Sequence, residues 1–129
     1  MKEKCKNCGK CCIDTEMMIS KKDISLILRQ YPQDLREEDF VIKNHGYSQL
    51  KNIDGHCVFF DAFTKKCKIY INRPQGCRFY PLTYDKDKKL CVFDEDCPRI
   101  ELFYLSDDDF EKKCRKIKIF LREDLNIHL

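Results

Sequence analysis

The first strongly periodic segment of the chain lies at residues 20–32, where apolar side chains recur three and four residues apart. These apolar positions are Ile24, Ile27, Leu28 and Tyr31. Ser20 stands where an N-cap is expected, and Asp23 follows three residues later in the place of a capping-box acid. Pro32 cannot continue a helix. The pattern therefore predicts a helix of about ten residues that begins after Ser20.

A longer amphipathic pattern occupies the end of the chain, in SDDDFEKKCRKIKIFLREDLNIHL. One face carries the apolar side chains of Phe110, Cys114, Ile117, Leu121 and Leu125. Ser106 can cap this helix, and the three aspartates that follow it favour the positive end of the helix dipole. We expect a helix over about residues 107–126 whose opposite face, rich in lysine and glutamate, is solvated.

Between these helices the hydrophobic period shortens to that of β-strands. In YSQLKNIDGHCVFFD, β-branched and aromatic residues gather between the turn signals Asp54-Gly55 and Thr64-Lys65-Lys66, which predicts a hairpin. The run FYPLTY, DKDKK, LCVFD predicts a second hairpin over residues 79–94, and DLREEDFVI predicts a weaker helical or turn segment. Together these elements predict an α+β fold, and the length of 129 residues predicts a single domain over residues 1–129.

Cysteine changes this picture, because the chain has ten cysteines in 129 residues. A secreted disulfide framework would need an export signal, and the opening MKEKCKNCGKCC has no apolar stretch. No window approaches the roughly 18 apolar residues that a membrane helix needs. We therefore expect a soluble cytoplasmic protein, without a membrane partner, whose thiols bind a soft metal. Disulfides of the kind found inside hyperthermophiles are the alternative.

The formal net charge of +3 treats every thiol as neutral. Four thiolates around Zn²⁺ or around a [4Fe–4S]²⁺ cluster leave a net charge of about −2, so a filled site removes most of the basic excess. Basic residues are also scattered among acidic ones, and nucleic-acid binding therefore gains little support. The chain lacks a Gly-rich phosphate or dinucleotide loop, which argues against an enzyme with its own nucleotide pocket.

The densest thiol motif is CKNCGKCC, in which Cys5, Cys8 and Cys11 follow Cys-x-x-Cys spacing and Cys12 comes directly after. Such turns bring two sulfurs onto one metal while peptide N–H groups stabilise the thiolates, and Gly9 gives the turn access to positive φ. Adjacent residues project in different directions, so Cys11 and Cys12 either serve two sites or differ in role.

The motif continues downstream in DGHCVFFD, KCKIYINRPQGCRFYP and CPRI. Taken together, these segments resemble the YkgJ-type cysteine-cluster family, with its CxxCxxCC signature and its description as a zinc- or iron-chelating domain. The resemblance spans residues 5–100 and implies as metal ligands Cys5, Cys8, Cys11, Cys12, Cys57, Cys67, Cys77 and Cys97. Its other matching positions are Tyr70, Arg73, Pro74, Arg78, Tyr80 and Pro81. After Cys97 the chain has Pro98-Arg99 where family members often have Pro-Gly.

Residues beside these thiols suggest how the site is tuned. Arg73 and Arg78 flank Cys77, and a guanidinium near a thiolate site would offset its charge, so both are candidate cofactor-binding residues. Pro74 and Pro81 would set the turns that aim Cys77. The two remaining thiols, Cys91 and Cys114, stand at apolar positions and are expected to act as small buried hydrophobic residues. His56 is expected to be a polar turn residue, although its place beside Cys57 leaves zinc ligation open.

The ligand type does not choose between zinc and iron, since both accept four thiolates. The Cys-x-x-Cys-x-x-Cys run, the late Cys-Pro and the scarcity of histidine favour a [4Fe–4S] cluster, with one or two centres in total. The resemblance adds to this, because related cysteine-cluster domains occur in flagellin lysine methylases, where an iron–sulfur centre has been proposed. We expect an iron–sulfur protein with a structural, electron-transfer or redox-sensing role and an unidentified protein partner. The alternatives are a zinc-binding structural module and a cluster-dependent protein-modifying enzyme.

Overall fold

The computed structural model describes residues 12–31 and 35–129, and its helices lie at the two ends and in the middle of this part. They are α1 (Lys21–Gln30), α2 (Gln75–Phe79) and α3 (Asp107–Ile119), the last continued by a π-helical turn, Phe120–Asp124. Short 3₁₀ turns occur at Glu37–Asp39, Tyr70–Asn72 and Ile100–Phe103. No helix in the described ranges combines the length and apolar character that a bilayer span requires.

Helix α1 begins as its sequence predicts. The Ser20 hydroxyl accepts a hydrogen bond from the Asp23 amide at 3.1 Å, and the Asp23 carboxylate accepts one from the Ser20 amide at 2.9 Å. This reciprocal capping box satisfies two of the amide groups that a helix start leaves without partners. Ile24 and Ile27 are buried. The predicted helix is confirmed, while Pro32 lies outside the described residues.

The described strands form antiparallel pairs joined by tight turns. The strands are β1 (Val41–Asn44), β2 (Tyr47–Leu50), β3 (Asn52–Ile53), β4 (His56–Cys57), β5 (Phe60–Asp61), β6 (Lys66–Cys67), β7 (Leu82–Asp85) and β8 (Leu90–Phe93). They pair in sequence order as β1-β2, β3-β4, β5-β6 and β7-β8. The α+β prediction and the hairpin over residues 79–94 are confirmed. The stretch predicted as one hairpin contributes strands to three. In DLREEDFVI, of which residues 35–42 are described, a 3₁₀ turn is followed by the start of β1.

The larger apolar core lies between α1 and the first three hairpins. Its most buried members include Ile19, Ile27, Phe40, Leu50 and Ile69. The rings of Phe40 and Phe59 pack with their centroids 5.4 Å apart. Cys57 is itself buried in this core, and Cys12, Cys67 and Cys77 pack against it. The thiols of the sequence motif thus lie at the edge of the main core.

A second core joins the C-terminal helix to the β7-β8 hairpin through Leu82, Cys91 and Ile117. Ser106 accepts a hydrogen bond from the Asp109 amide at 3.3 Å, which confirms the predicted start of α3. Cys91 and Cys114 pack in this core, as expected, but they are also joined to each other by a disulfide. The prediction that they act only as small hydrophobic residues is therefore wrong, because the packing of α3 on β8 brings their Cα atoms to 5.9 Å.

Candidate metal centre

Thiols from separate segments of the chain meet at one cavity of about 70 Å³. The cysteines on its wall are Cys12, Cys57, Cys67, Cys77 and Cys97. Cys57 lies in β4, Cys67 in β6 and Cys77 in α2, so the fold collects these side chains from different elements. Apolar side chains, among them Phe59 and Phe60, fill the wall between the thiols.

The segment after Cys12 is held against the hairpin that carries Cys57. The Asn52 side chain accepts a hydrogen bond from the Thr15 amide at 3.1 Å and donates one to the Thr15 carbonyl at 2.9 Å. Asn52 also lies opposite Cys57 in the β3-β4 ladder. The Asp14 amide adds a bond to the Gly55 carbonyl at 2.8 Å. These contacts hold two segments that are distant in the sequence together on one side of the cavity, since Thr15 and Asn52 lie 37 positions apart.

Helix α2 presents Cys77, and it is held from both ends. Pro74 is its N-cap and Pro81 follows its C-cap, and both prolines are fully buried. The Gln75 amide donates to the buried Asp23 carboxylate at 3.0 Å, which ties the start of α2 to the start of α1. A Cβ added at Gly76 would clash with the sulfur of Met17, so only glycine fits here without a shift. The short helix was not predicted, because five residues show no hydrophobic period.

The turn that carries Cys97 is attached to the other end of α2 through Asp94. The Tyr80 hydroxyl donates to the Asp94 carboxylate at 2.9 Å, and the Asp94 amide donates to the Pro81 carbonyl at 2.7 Å. The Cys97 amide in turn donates to the Asp94 carbonyl at 3.2 Å. Asp94 therefore sets the distance between the segments of Cys77 and Cys97.

The charged side chains on the described part of the cavity wall are all cations: Lys65, Arg73 and Arg99. The Arg73 guanidinium lies 4.0 Å from the centroid of the Tyr70 ring and its Nε donates to the Tyr70 carbonyl at 3.1 Å. These contacts hold the Arg73 cation in place. Positive charge without a carboxylate on the described wall favours anionic contents such as thiolates or a thiolate-bound metal.

Lys65 reaches the wall from the tip of the β5-β6 hairpin. The Asp61 carboxylate accepts hydrogen bonds from the amides of Thr64 and Phe63, at 3.3 and 2.9 Å, and these two bonds lower the pKa of Asp61 below its ordinary value. The Lys65 amide donates to the Asp61 carbonyl at 2.7 Å. The turn that positions Lys65 is thus organised by one carboxylate.

The predicted site residues divide into three groups. The five cavity thiols and Arg73 come together, whereas Arg78 is exposed and does not line the cavity. Cys5, Cys8 and Cys11 lie outside the described residues. Sequence reasoning missed Lys65 and Arg99. Each stands within two residues of a cavity cysteine, but so do Lys66, Lys68 and Arg78, which do not line the cavity, and sequence position alone does not distinguish them.

The chemistry of the donor set fits a thiophilic metal, since the side chains that surround the cavity offer sulfur and no carboxylate or imidazole among the described residues. His56 is not on the wall, and its Nδ1 lies 3.1 Å from the Cys57 carbonyl. Within residues 12–31 and 35–129, no three histidine, cysteine or acidic side chains are grouped closely enough to hold an ion by themselves. A centre at this cavity therefore needs side-chain movement or further thiols.

Comparison with known proteins agrees with this chemistry. An uncharacterized protein of Methanocaldococcus jannaschii is 40% identical over 80 residues, which are 60% of this chain and 43% of that protein, so the chain spans less than half of its relative. No solved structure matches the chain. The link to flagellin lysine methylases stays a prediction. The model of the CxxCxxCC family, described as a "putative zinc- or iron-chelating domain", matches residues 4–98, and the chain belongs to this family.

Proposed function

We propose that the chain holds a [4Fe–4S] cluster at the cysteine cavity, and that the cluster both stabilises the fold and supplies a redox centre. The observation that carries this proposal is that five thiols and three cations, without a described carboxylate, line the wall of one cavity. Cysteine thiolates are the standard ligands of such clusters. When bound, the cluster would supply one-electron chemistry, and the chain would tune it through charge and burial.

The burial of the thiols supports a cluster that is protected from water. Cys57 and Cys97 are 5% and 8% exposed. Phe59 and Phe60 contribute apolar wall next to them. A net charge of about −2 on a cluster with four thiolates would be costly in such surroundings without compensation. Arg73 and Arg99 offer that compensation from the same wall.

The structural part of the role follows from where the thiols lie. β3-β4 and β5-β6 have strands of only two residues each, so the hydrogen-bonded ladders that hold these hairpins are short. A metal that bridges thiols of these hairpins, α2 and the Cys97 turn would crosslink four segments of the fold. Such binding energy is available to folding, so removal of the metal would destabilise the protein.

A zinc-binding structural module is the second candidate. The same short hairpins favour it, because a zinc crosslink adds much stability to a small fold whose apolar cores are small. The number of thiols does not separate the two candidates. A mononuclear zinc site and a [4Fe–4S] cluster each take four ligands, whereas five thiols line the cavity, so either centre alone would leave at least one of these thiols without a metal role. That surplus favours a second centre.

Purification without oxygen followed by metal and sulfide analysis tests the proposal. We expect brown protein with about four irons and four sulfides per occupied site, and an electron paramagnetic resonance signal after reduction with dithionite. A colourless protein with stoichiometric zinc would contradict the iron–sulfur proposal and support the zinc-binding module. Protein that contains neither metal yet keeps its full stability would exclude both.

A further inference from the structure

An apolar groove of about 940 Å³ runs along a face of the molecule that the metal proposal does not use. Residues 13–18, α2, β7 and the C-terminal helix form it. Its floor includes Met17, Met18, Phe79, Leu82, Phe120 and Leu121. This volume lies at the upper end of the range of about 300–1,000 Å³ that is typical of ligand sites. A ligand that filled the groove would therefore be a large one.

The rim of the groove carries charge of one sign. Its charged side chains among the described residues are Asp14, Glu16, Asp94 and Asp96, and neither lysine nor arginine lines it there. Asp14, Glu16 and Asp96 are exposed, so their carboxylates are open to a ligand. This local excess of negative charge contrasts with the formal net charge of +3 of the whole chain. The groove is therefore an acidic region on a basic protein.

We propose that the groove binds a basic amphipathic helix of a partner protein. Leucine-like side chains on one face of such a helix would cover the apolar floor, while its lysines or arginines would face the rim carboxylates. Two methionines in the floor suit this role, because their flexible side chains adapt to different apolar surfaces. An acidic segment would meet like charge at the rim, and a neutral apolar one would leave the rim without partners.

The groove lies directly beside the cysteine cavity, since Thr15, Met17 and Tyr80 line both. A helix bound in the groove would thus contact the segment that follows Cys12 and the tyrosine that holds Asp94. The proposal does not require a metal, because it rests on the apolar floor and the rim charges alone. It adds to metal binding a partner of defined chemistry at a neighbouring surface.

Fluorescence anisotropy with a labelled synthetic helix tests the proposal on the full chain as purified. The probe is a leucine–lysine peptide of about 18 residues, or about 27 Å of helix, with all leucines on one face. A scrambled peptide of the same composition has no apolar face, and a leucine–glutamate peptide has the opposite charge. We expect the amphipathic basic peptide to bind at least tenfold more tightly than either, with an affinity that falls as salt rises.

Two sets of variants assign the binding to the groove. The rim variant combines Asp14→Asn, Glu16→Gln and Asp96→Asn, and asparagine suits the positive φ of 46° at Asp14. Its control neutralises exposed carboxylates away from the groove by the changes Glu38→Gln, Asp87→Asn and Glu101→Gln. Both variants lose the same charge. The rim variant should weaken binding about tenfold and flatten its salt dependence, and the control should change it less than twofold.

The apolar lining of the groove is tested by Ile13→Ser, since Ile13 also lines the groove but is 51% exposed and contributes little to the core. Ile42→Ser, at a position 41% exposed on β1, is its matched control. Ile13→Ser should weaken peptide binding at every salt concentration. Equal binding of the scrambled peptide, or equal losses in the rim variant and its control, would overturn the proposal. A dimer in sedimentation velocity that only the rim variant dissociates would also overturn it, by showing a second copy in the groove.

Discussion

Replacement of Asp23 by alanine should destabilise the protein far more than a helix cap alone explains. The carboxylate is 3% exposed and accepts hydrogen bonds from the Ser20 amide at 2.9 Å, the Ser20 hydroxyl at 3.0 Å and the Gln75 amide at 3.0 Å. It therefore closes the capping box of α1 and also anchors α2, the helix of Cys77. Alanine removes both functions and leaves two amide groups without acceptors.

The expected loss can be compared within one series of variants. Hydrogen bonds to a charged group contribute about 1.5–3 kcal/mol each, and a buried amide without a partner costs about 1–3 kcal/mol, so Asp23→Ala should lower the free energy of unfolding by about 3–4 kcal/mol. Ser20→Ala removes the cap hydroxyl but keeps the Gln75 bond, and should cost about 1 kcal/mol. Asp23→Asn keeps one acceptor oxygen and should fall between them.

Urea unfolding of the three variants, followed by circular dichroism, measures these differences. A gap of about 2 kcal/mol between Asp23→Ala and Ser20→Ala corresponds to about 30-fold in the unfolding constant and represents the bonds that the Asp23 carboxylate accepts from the Gln75 and Ser20 amides. Equal losses in the two variants would refute the reasoning, because they would mean that these two bonds contribute nothing to stability.

Three further predictions concern other contacts of the fold. Gly76→Ala should lower the free energy of unfolding in urea by about 1–2 kcal/mol, because the added Cβ meets the Met17 sulfur. When Met17 is also replaced by alanine, Gly76→Ala should be neutral or stabilising. If the losses of the two single variants simply add in the double variant, the clash is contradicted. The double variant Cys91→Ser/Cys114→Ser removes a crosslink between residues 23 positions apart, and it should lower the free energy of unfolding in non-reducing urea by about 2–4 kcal/mol. A reductant should lower the stability of the parent protein but not that of this variant. The hydrogen bonds to Asp61 lower its pKa below the ordinary value of 3.8, so its ionised carboxylate stabilises the turn fully above pH 3.8 and loses this effect only as the pH falls through the lower pKa of the folded state. The NMR signals of the two amides that bind the carboxylate should therefore titrate with a midpoint below pH 3.8. A midpoint at or above pH 3.8 would contradict the hydrogen bonds.

Local signals made the helix starts and the late hairpin predictable. The capping box of Ser20 and Asp23 needs only four consecutive residues, and the N-cap at Ser106 is equally local. The β7-β8 hairpin follows from two apolar runs around the polar turn of residues 86–89. In each case the contact that fixes the element lies within the sequence window that predicts it.

Contacts between distant segments could not be predicted in this way. The second role of Asp23, at Gln75, spans 52 positions, and no feature of either residue indicates the other. The Cys91–Cys114 disulfide depends on how α3 packs against β8, and spacing alone does not reveal which cysteines pair. The sequence placed both thiols at apolar positions correctly, but their partnership is a property of the packing.

The candidate site shows the same division. The family resemblance pointed to the cysteines that line the cavity, but it could not distinguish Arg73 from Arg78, which stand on either side of Cys77. Arg73 precedes α2 and is held on the wall by Tyr70, whereas Arg78 lies in the helix on its exposed side. The direction of one short helix, which has no periodic signal, decides between them.

Metal content of matched cysteine variants tests the central claim, that the thiols of the cavity hold the metal. Cys77→Ser and Cys57→Ser should each lose most of the iron, or zinc, that the parent protein retains after anaerobic gel filtration, together with stability. The Cys91→Ser/Cys114→Ser variant removes two thiols that lie outside the cavity, and its metal-to-protein ratio should equal that of the parent. A full complement of metal in both cavity variants, or its loss only when Cys91 and Cys114 are replaced, would contradict the account.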